Sequence, residues 1–128
     1  MRASGKLEIM GQDNNTAIDW DALSASLDGD MELMDMLAQL FLEHIDDQLG
    51  RLQTALASRD VLAIESAAHG IKGSLAQVFA EEACNRAGEL ECRSHAQQID
   101  GVEDMARELV QLVREVEDCL SLRLADGD

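Results

Sequence analysis

The chain has no proline and no tyrosine, and its aromatic residues are limited to Trp20, Phe41 and Phe79. Aromatic side chains are enriched in strands, so their scarcity argues against an all-β fold. Leucine, alanine, methionine and glutamate fill much of the remaining sequence, and these residue types favour helices. At 128 residues, the composition predicts one helical domain that can bury a core without disulfide or metal support.

Basic residues are also scarce. Lysine and arginine together number 10 against 26 acids, which gives a formal net charge of -16. Binding to nucleic acid or to an anionic membrane needs a basic surface, so neither is expected as a partner. No apolar run approaches the roughly 18 residues that a membrane-spanning helix requires. Partners with basic or neutral docking faces fit this charge best.

The three cysteines, Cys84, Cys92 and Cys119, include no CxxC pair. Cys84 and Cys119 fall on apolar helical positions, which predicts buried thiols in a reducing cytoplasm. Residues 1–17 lack the continuous apolar core of a secretory signal and are interpreted as a flexible leader or linker. The predicted domain spans residues 18–124, and residues 125–128 form a C-terminal tail.

Breaks in the apolar pattern divide the domain into five predicted helices. A short one opens at Asp19, and Asp30 is a plausible N-cap for the second, which runs from Met31 to about Ala57. Its apolar residues follow helical spacing: Leu33, Leu37, Leu40, Phe41, Ile45, Leu49, Leu52 and Leu56. The remaining predicted helices span residues 61–78, 81–95 and from 102 onward. Short connections favour antiparallel neighbours, so the expected fold is an all-α, antiparallel four-helix bundle with a short extra N-terminal helix.

The third helix contains the unusual stretch AAHGIKGSL, in which glycines flank Lys72 and follow His69. Each interior glycine costs a helix roughly 1 kcal/mol relative to alanine. The apolar stripe of Val61, Ile64, Ala68, Ile71, Leu75 and Val78 faces the bundle, which places His69 on the solvent side. Small or uncharged residues surround it there: Ser66, Gly70, Gly73, Ser74 and Gln77. Both glycines are therefore expected on the exposed face, where they let another surface approach the imidazole.

The charge around His69 is also unusual. Residues Ser66 to Ala80 include no acid, although 26 of the 128 residues are acidic. Lys72 carries the single formal charge of this window. A histidine that holds a phosphoryl group needs this arrangement, because a carboxylate would repel the phosphoryl charge and an ammonium offsets it.

The run from His69 to Ser74 resembles the His-x-Leu/Ile-Lys-Gly-Ser/Ala signature of histidine-containing phosphotransfer (HPt) domains. The segments IDWDAL, LDGDMELMDMLAQLFLEH and GELE are similar to those that such domains carry in the same places. The resemblance implies that His69 is the phosphoacceptor, Lys72 its stabilising cation and Gly73 the gap that admits a receiver domain. Glu91 matches the residue that hydrogen-bonds the imidazole, and Gln77 matches a polar residue that lines the site.

One departure from the family pattern follows the signature. A glycine-containing pair is usual there, and this chain has Phe79 and Ala80. Phe79 is expected to fill the junction between two helices as a core residue. The substitution bears on the angle between those helices and leaves the assignment of His69 unaffected.

The function implied by the resemblance is a phosphorelay step. A phosphoryl group passes from a receiver aspartate, or from a histidine kinase, to His69 and then to another receiver aspartate. Expected partners are response-regulator receiver domains, a hybrid histidine kinase, or both. The chain is expected to act as a monomeric phosphocarrier without a cofactor, and not as an enzyme, because the magnesium ion belongs to the receiver.

Two alternatives remain open from the residues. A carboxylate metal site needs Glu-x-x-His pairs that project inward, and the nearest cluster is Glu91, Cys92 and His95. Cys92 and His95 are instead expected at a helix end, and His44 as a boundary histidine. The other alternative is a scaffold that docks receiver or kinase domains and has lost the chemistry.

Overall fold

The computed structural model describes residues 17–126, which form five helices. They are α1 (Trp20–Ser26), α2 (Met31–Ser58), α3 (Val61–Gln77), α4 (Glu81–His95) and α5 (Val102–Asp126). No strand occurs in this part of the chain. The predicted all-α fold is confirmed. Residues 1–16 of the predicted leader and the last two residues of the predicted tail lie outside the described residues, and α5 extends two residues into that tail.

Aspartate side chains cap the N-termini of three of the helices. Asp19, Asp30 and Asp60 each accept a hydrogen bond from the backbone N–H three residues later, at 3.0, 3.1 and 3.2 Å. Such N-caps satisfy amide groups that have no partner within the helix, and each contributes about 1 kcal/mol. The signal for each of these helix starts is therefore a single aspartate beside the helix, which explains why the predicted and observed boundaries agree closely.

The core is built from one apolar row of each long helix. In α3 the buried residues are Ile64, Ala68, Ile71 and Leu75, as the spacing predicts. In α2 the buried row is Met34, Ala38, Phe41, Ile45, Leu49, Leu52 and Ala55. Leu33 and Leu40 belong to the predicted apolar set of α2, yet their exposed fractions are 43% and 50%. Both lie about a third of a turn from the buried row. Their size and apolar character alone therefore assigned them to the wrong side of α2.

Phe79 differs from its expected place in the core. Its backbone φ is +57°, the left-handed region that a bulky residue seldom adopts. The side chain is half-buried and packs against the edge of the core. Its carbonyl accepts a hydrogen bond from the backbone N–H of Asp19 at 2.9 Å, which connects the start of α1 to the α3–α4 junction. Glycine adopts positive φ without steric cost, so Phe79 places a bulky side chain where the backbone conformation suits glycine.

Ion pairs tie α5 to its neighbours on the bundle surface. Arg114 contacts Asp46 of α2 at 2.8 Å, and Arg86 of α4 contacts Glu108. Their side chains are at least one third exposed, so each pair adds little stability. None of the helices within residues 17–126 combines the length and apolar character needed to cross a membrane.

Candidate functional site

His69 lies in the middle of α3 with its side chain 68% exposed. The inward stripe of α3 is completely covered at Ala68 and Ile71. Because successive helical residues turn by about 100°, burial of these two neighbours forces the imidazole outward. The exposed position predicted for His69 is thus observed.

Glu91 of α4 joins the imidazole and the lysine. Its Oε2 lies 2.8 Å from His69 Nδ1, and its Oε1 lies 2.7 Å from Lys72 Nζ. The Glu91 side chain is 20% exposed, at the inner edge of the site. Acceptance by a carboxylate requires a proton on Nδ1, and in the neutral imidazole Nε2 then carries the lone pair.

The ion pair changes the proton affinities of both charged groups. The ammonium of Lys72 is the main cause that lowers the pKa of Glu91, and the hydrogen bond from His69 lowers it further against the effect of burial. Hydrogen bonding to Glu91 raises the pKa of Lys72. Glu91 is therefore held as a carboxylate and Lys72 as an ammonium at neutral pH, so the site carries both charges.

The opposite side of the same α3 turn contacts α2. Gln48 Nε2 donates to the Gly70 carbonyl at 3.3 Å, and Gln48 Oε1 accepts from Ser74 Oγ at 3.0 Å. Gly70 and Ser74 are consequently half-buried. The expectation that both glycines lie on the exposed face is wrong for Gly70, because α2 packs closely enough to reach its backbone.

Gly73 is the glycine that stays open. It is exposed, and a Cβ added there would have no neighbouring atom within 4 Å. Ser66 and Gln77 are also exposed on this helix. The surface beside the imidazole therefore lies close to the helix backbone, and small and uncharged side chains border it.

Sequence reasoning missed Gln48 and Gly88. A Cβ on Gly88 would lie 3.5 Å from Lys72 Cδ. The aliphatic part of the Lys72 side chain therefore packs over α4 at this glycine and reaches Glu91. Gly88 offered a sequence signal, since it is a fourth glycine in a helix interior, after Gly50, Gly70 and Gly73, and precedes Glu91 by one turn. Gln48 offered none, because its role depends on how α2 and α3 are aligned.

The other candidate residues lie apart from His69 or make different contacts. His44 is exposed and so differs from its expected boundary position. Cys92 is exposed, and Cys84 is half-buried with its thiol 3.6 Å from the Lys72 carbonyl. His95 ends α4, and its Nδ1 lies 2.9 Å from Glu65 Oε2. Among the described residues, no cluster of three or more His, Cys, Asp or Glu could hold a metal ion.

The arrangement offers a specific chemistry. An exposed imidazole carries one nitrogen with a lone pair, a carboxylate fixes the other nitrogen, and an ammonium lies beside both. A nucleophile oriented by a second group is the general pattern of covalent catalysis, and the ammonium suits an anionic electrophile such as a phosphoryl group. The profile of the Hpt domain matches residues 36–119.

The chain belongs to the Hpt domain family. Membership gives it a phosphotransfer role in two-component signalling, where Hpt domains interact with receiver domains and histidine kinases.

Two solved structures share the Hpt fold seen here. The Hpt domain of a sensor hybrid histidine kinase from Shewanella has a TM-score of 0.78 and 19% identity, with 87% of this chain and 96% of that chain covered. Histidine-containing phosphotransfer protein B (HptB) from Pseudomonas aeruginosa PAO1 has a TM-score of 0.80 and 17% identity, with 86% and 96% covered. At these identities the likeness concerns the fold alone. No curated protein matches the sequence.

Proposed function

We propose that this Hpt domain accepts a phosphoryl group on His69 from a receiver aspartate, or directly from a histidine kinase, and passes it to another receiver aspartate. The observation that carries the proposal is the contact of Glu91 with both His69 and Lys72, at 2.8 and 2.7 Å. This one carboxylate orients the nucleophile and holds the cation beside it, and the segment of α3 from Ser66 to Gln77 has no acid of its own.

The proposed step begins with His69 Nε2 approaching the phosphorus of an aspartyl phosphate. The N–P bond forms as the P–O bond to the receiver's carboxylate breaks, and the electron pair of that bond leaves with the carboxylate. The Nδ1 proton stays in its hydrogen bond to Glu91, which offsets the positive charge that develops on the ring. Transfer to the next receiver is the same step in reverse. Positioning is most of what phosphoryl transfer asks of a protein.

Lys72 and Gly73 are assigned separate roles in this proposal. The ammonium of Lys72, which Glu91 holds beside the imidazole, offsets the negative charge of the phosphoryl group. Gly73 keeps the surface low, so that the partner's active site can close over the imidazole. The chain supplies no cofactor of its own, and a magnesium ion is expected on the receiver. On this account the domain is a phosphocarrier, and most of the catalytic chemistry lies with its partner.

The experiment is transfer from a panel of phosphorylated receiver domains and histidine kinases to the wild type and to His69→Gln. Acid-labile, base-stable label is expected on the wild type, because phosphohistidine has that stability, and none is expected on the variant. Circular dichroism of the variant serves as the control for folding. Absence of label from every donor, with the fold intact, would contradict the proposal and favour a docking scaffold.

A further inference from the structure

The turn of α3 that carries His69 is intrinsically weak. It contains Gly70 and Gly73 within four consecutive residues, and glycine is a poor helix former because its backbone loses the most freedom on folding. Phosphoryl transfer depends on accurate placement of the nucleophile, and a misplacement of about 1 Å can cost a factor of about 100 in rate. Some contact from outside the helix must therefore hold this turn.

Contacts reach the turn from two sides. From α4, Glu91 binds the side chains of His69 and Lys72. From α2, Gln48 binds the carbonyl of Gly70 and the hydroxyl of Ser74. Gly73 is left facing solvent. The α4 contact is made by the reacting groups themselves, whereas the α2 contact touches neither the imidazole nor the ammonium.

The Gln48 amide has one orientation that satisfies both contacts. The Gly70 carbonyl can accept but cannot donate, so it requires the NH₂ group of the amide. The amide oxygen then faces the Ser74 hydroxyl, which donates to it at 3.0 Å. Gln48 is half-buried, so its amide is partly shielded from competing water.

Gly70 fits this contact. A Cβ at Gly70 would lie 3.6 Å from Gln48 Nε2, which is ordinary van der Waals contact with the amide that binds its carbonyl. The two glycines of the turn thus have different surroundings, since Gly70 lies next to the Gln48 amide and Gly73 faces open solvent.

We propose that Gln48 is a positioning residue for phosphotransfer, which compensates for the glycines by fixing the α3 turn of His69 against α2. The proposal rests on the proposed function of His69. Loss of Gln48 is expected to leave the bundle folded and to let this turn fray, so that His69 and Lys72 spend less time in the geometry set by Glu91.

The test compares Gln48→Ala with Gln53→Ala, an exposed glutamine of the same helix. Hydrogen exchange at the Ser74 amide, which bonds to the Gly70 carbonyl in a regular helix, is expected to be about fivefold faster in Gln48→Ala and unchanged in Gln53→Ala. The transfer rate at saturating phosphorylated receiver should fall about fivefold, with the half-saturating concentration unchanged because the proposed role of Gln48 is to place the imidazole and not to dock the partner.

A second substitution separates positioning from general stability. Gly70→Ala raises the helix propensity of the turn, so in the Gln48→Ala background it should recover most of the lost rate and slow the exchange again. Unchanged exchange and rate in Gln48→Ala would overturn the proposal, and so would a slow rate that Gly70→Ala does not restore. Failure of the proposed function itself would show differently, as no label on the wild type from any donor.

Discussion

Two histidine–glutamate pairs lie side by side where α3 meets α4, and they are nearly alike. His69 Nδ1 contacts Glu91 at 2.8 Å, and His95 Nδ1 contacts Glu65 at 2.9 Å. Both imidazoles are more than two-thirds exposed, at 68% and 78%. Glu65 precedes His69 by four residues and His95 follows Glu91 by four, so the pairs are one helical turn apart.

What separates the two pairs is their surroundings. Within residues 17–126, Glu91 is shared with Lys72, whereas Glu65 contacts His95 as its single basic partner. His69 lies in the acid-free window beside the open Gly73, and His95 ends its helix. A carboxylate beside an imidazole is thus common to both pairs. The added cation and the bare surface are the features on which the proposed role of His69 as phosphoacceptor rests.

The largest effect is expected from removing the bare surface. Gly73→Glu should lower the transfer rate at least about 100-fold, because bulk and negative charge would keep a receiver from closing over His69. Transfer from a phosphorylated receiver measures this directly.

The matched control is Gly50→Glu, since Gly50 is also exposed and a Cβ there meets no atom within 4 Å. Both variants replace a helical glycine and should be at least as stable as the wild type. Unfolding of Gly73→Glu, or transfer at the wild-type rate, would contradict the assigned role of this surface.

Removing the ammonium of Lys72 should make the His69–Glu91 pair resemble the His95–Glu65 pair. Lys72→Met keeps the stem that crosses Gly88 and loses the ammonium, so the transfer rate should fall about tenfold or more. Arg107→Met, on the exposed face of α5, removes one positive charge elsewhere and should leave the rate near that of the wild type. Equal rates for the two variants would show that net charge, and not the position of Lys72, matters.

A smaller effect is expected at the carboxylates. Glu91→Gln keeps a hydrogen-bond acceptor for His69 and loses the charge, so the rate should fall a few-fold, about the effect of one hydrogen bond to a charged group. Glu65→Gln makes the same change at the other pair and should leave transfer unchanged. A matching loss in Glu65→Gln would mean that the second pair takes part in transfer.

The smallest expected effect is on stability as a function of pH. Folding lowers the pKa of Glu91, so its contribution is present above the pKa of the unfolded chain, about 4.3, and is lost as pH falls through the lower native value. The difference in unfolding free energy between wild type and Glu91→Gln should be below about 1 kcal/mol at neutral pH and vanish in acid. Urea unfolding from pH 7 to pH 3 measures it, and a difference that grows in acid would contradict the ion pair.

Local signals in the sequence predicted most of the fold. Aspartate caps and apolar spacing act within one helix, so the helix boundaries and the outward position of His69 followed from neighbouring residues. The chemistry of the His69–Lys72 turn was also local, because both residues lie on one helix. The pairing of Glu91 with His69 could be expected only from the resemblance to HPt domains.

Features that depend on how helices align could not be predicted in this way. Gln48 reads as an ordinary polar residue beside an apolar row, and its partners are set by the register between α2 and α3. Leu33 and Leu40 are as apolar as the core residues and were misplaced because nothing local marks which side is covered. The positive φ of Phe79 was likewise invisible, since an aromatic side chain gives no local sign of it.

In the proposed relay, His69 is the one of these two paired histidines that accepts the phosphoryl group. The most direct test locates the label by mass spectrometry, under conditions that preserve phosphohistidine, in wild type, His69→Gln and His95→Gln after transfer from the same receiver. The account predicts label on residue 69 in the wild type and in His95→Gln, and no label in His69→Gln. Label on His95, or labelling of His69→Gln, would contradict it.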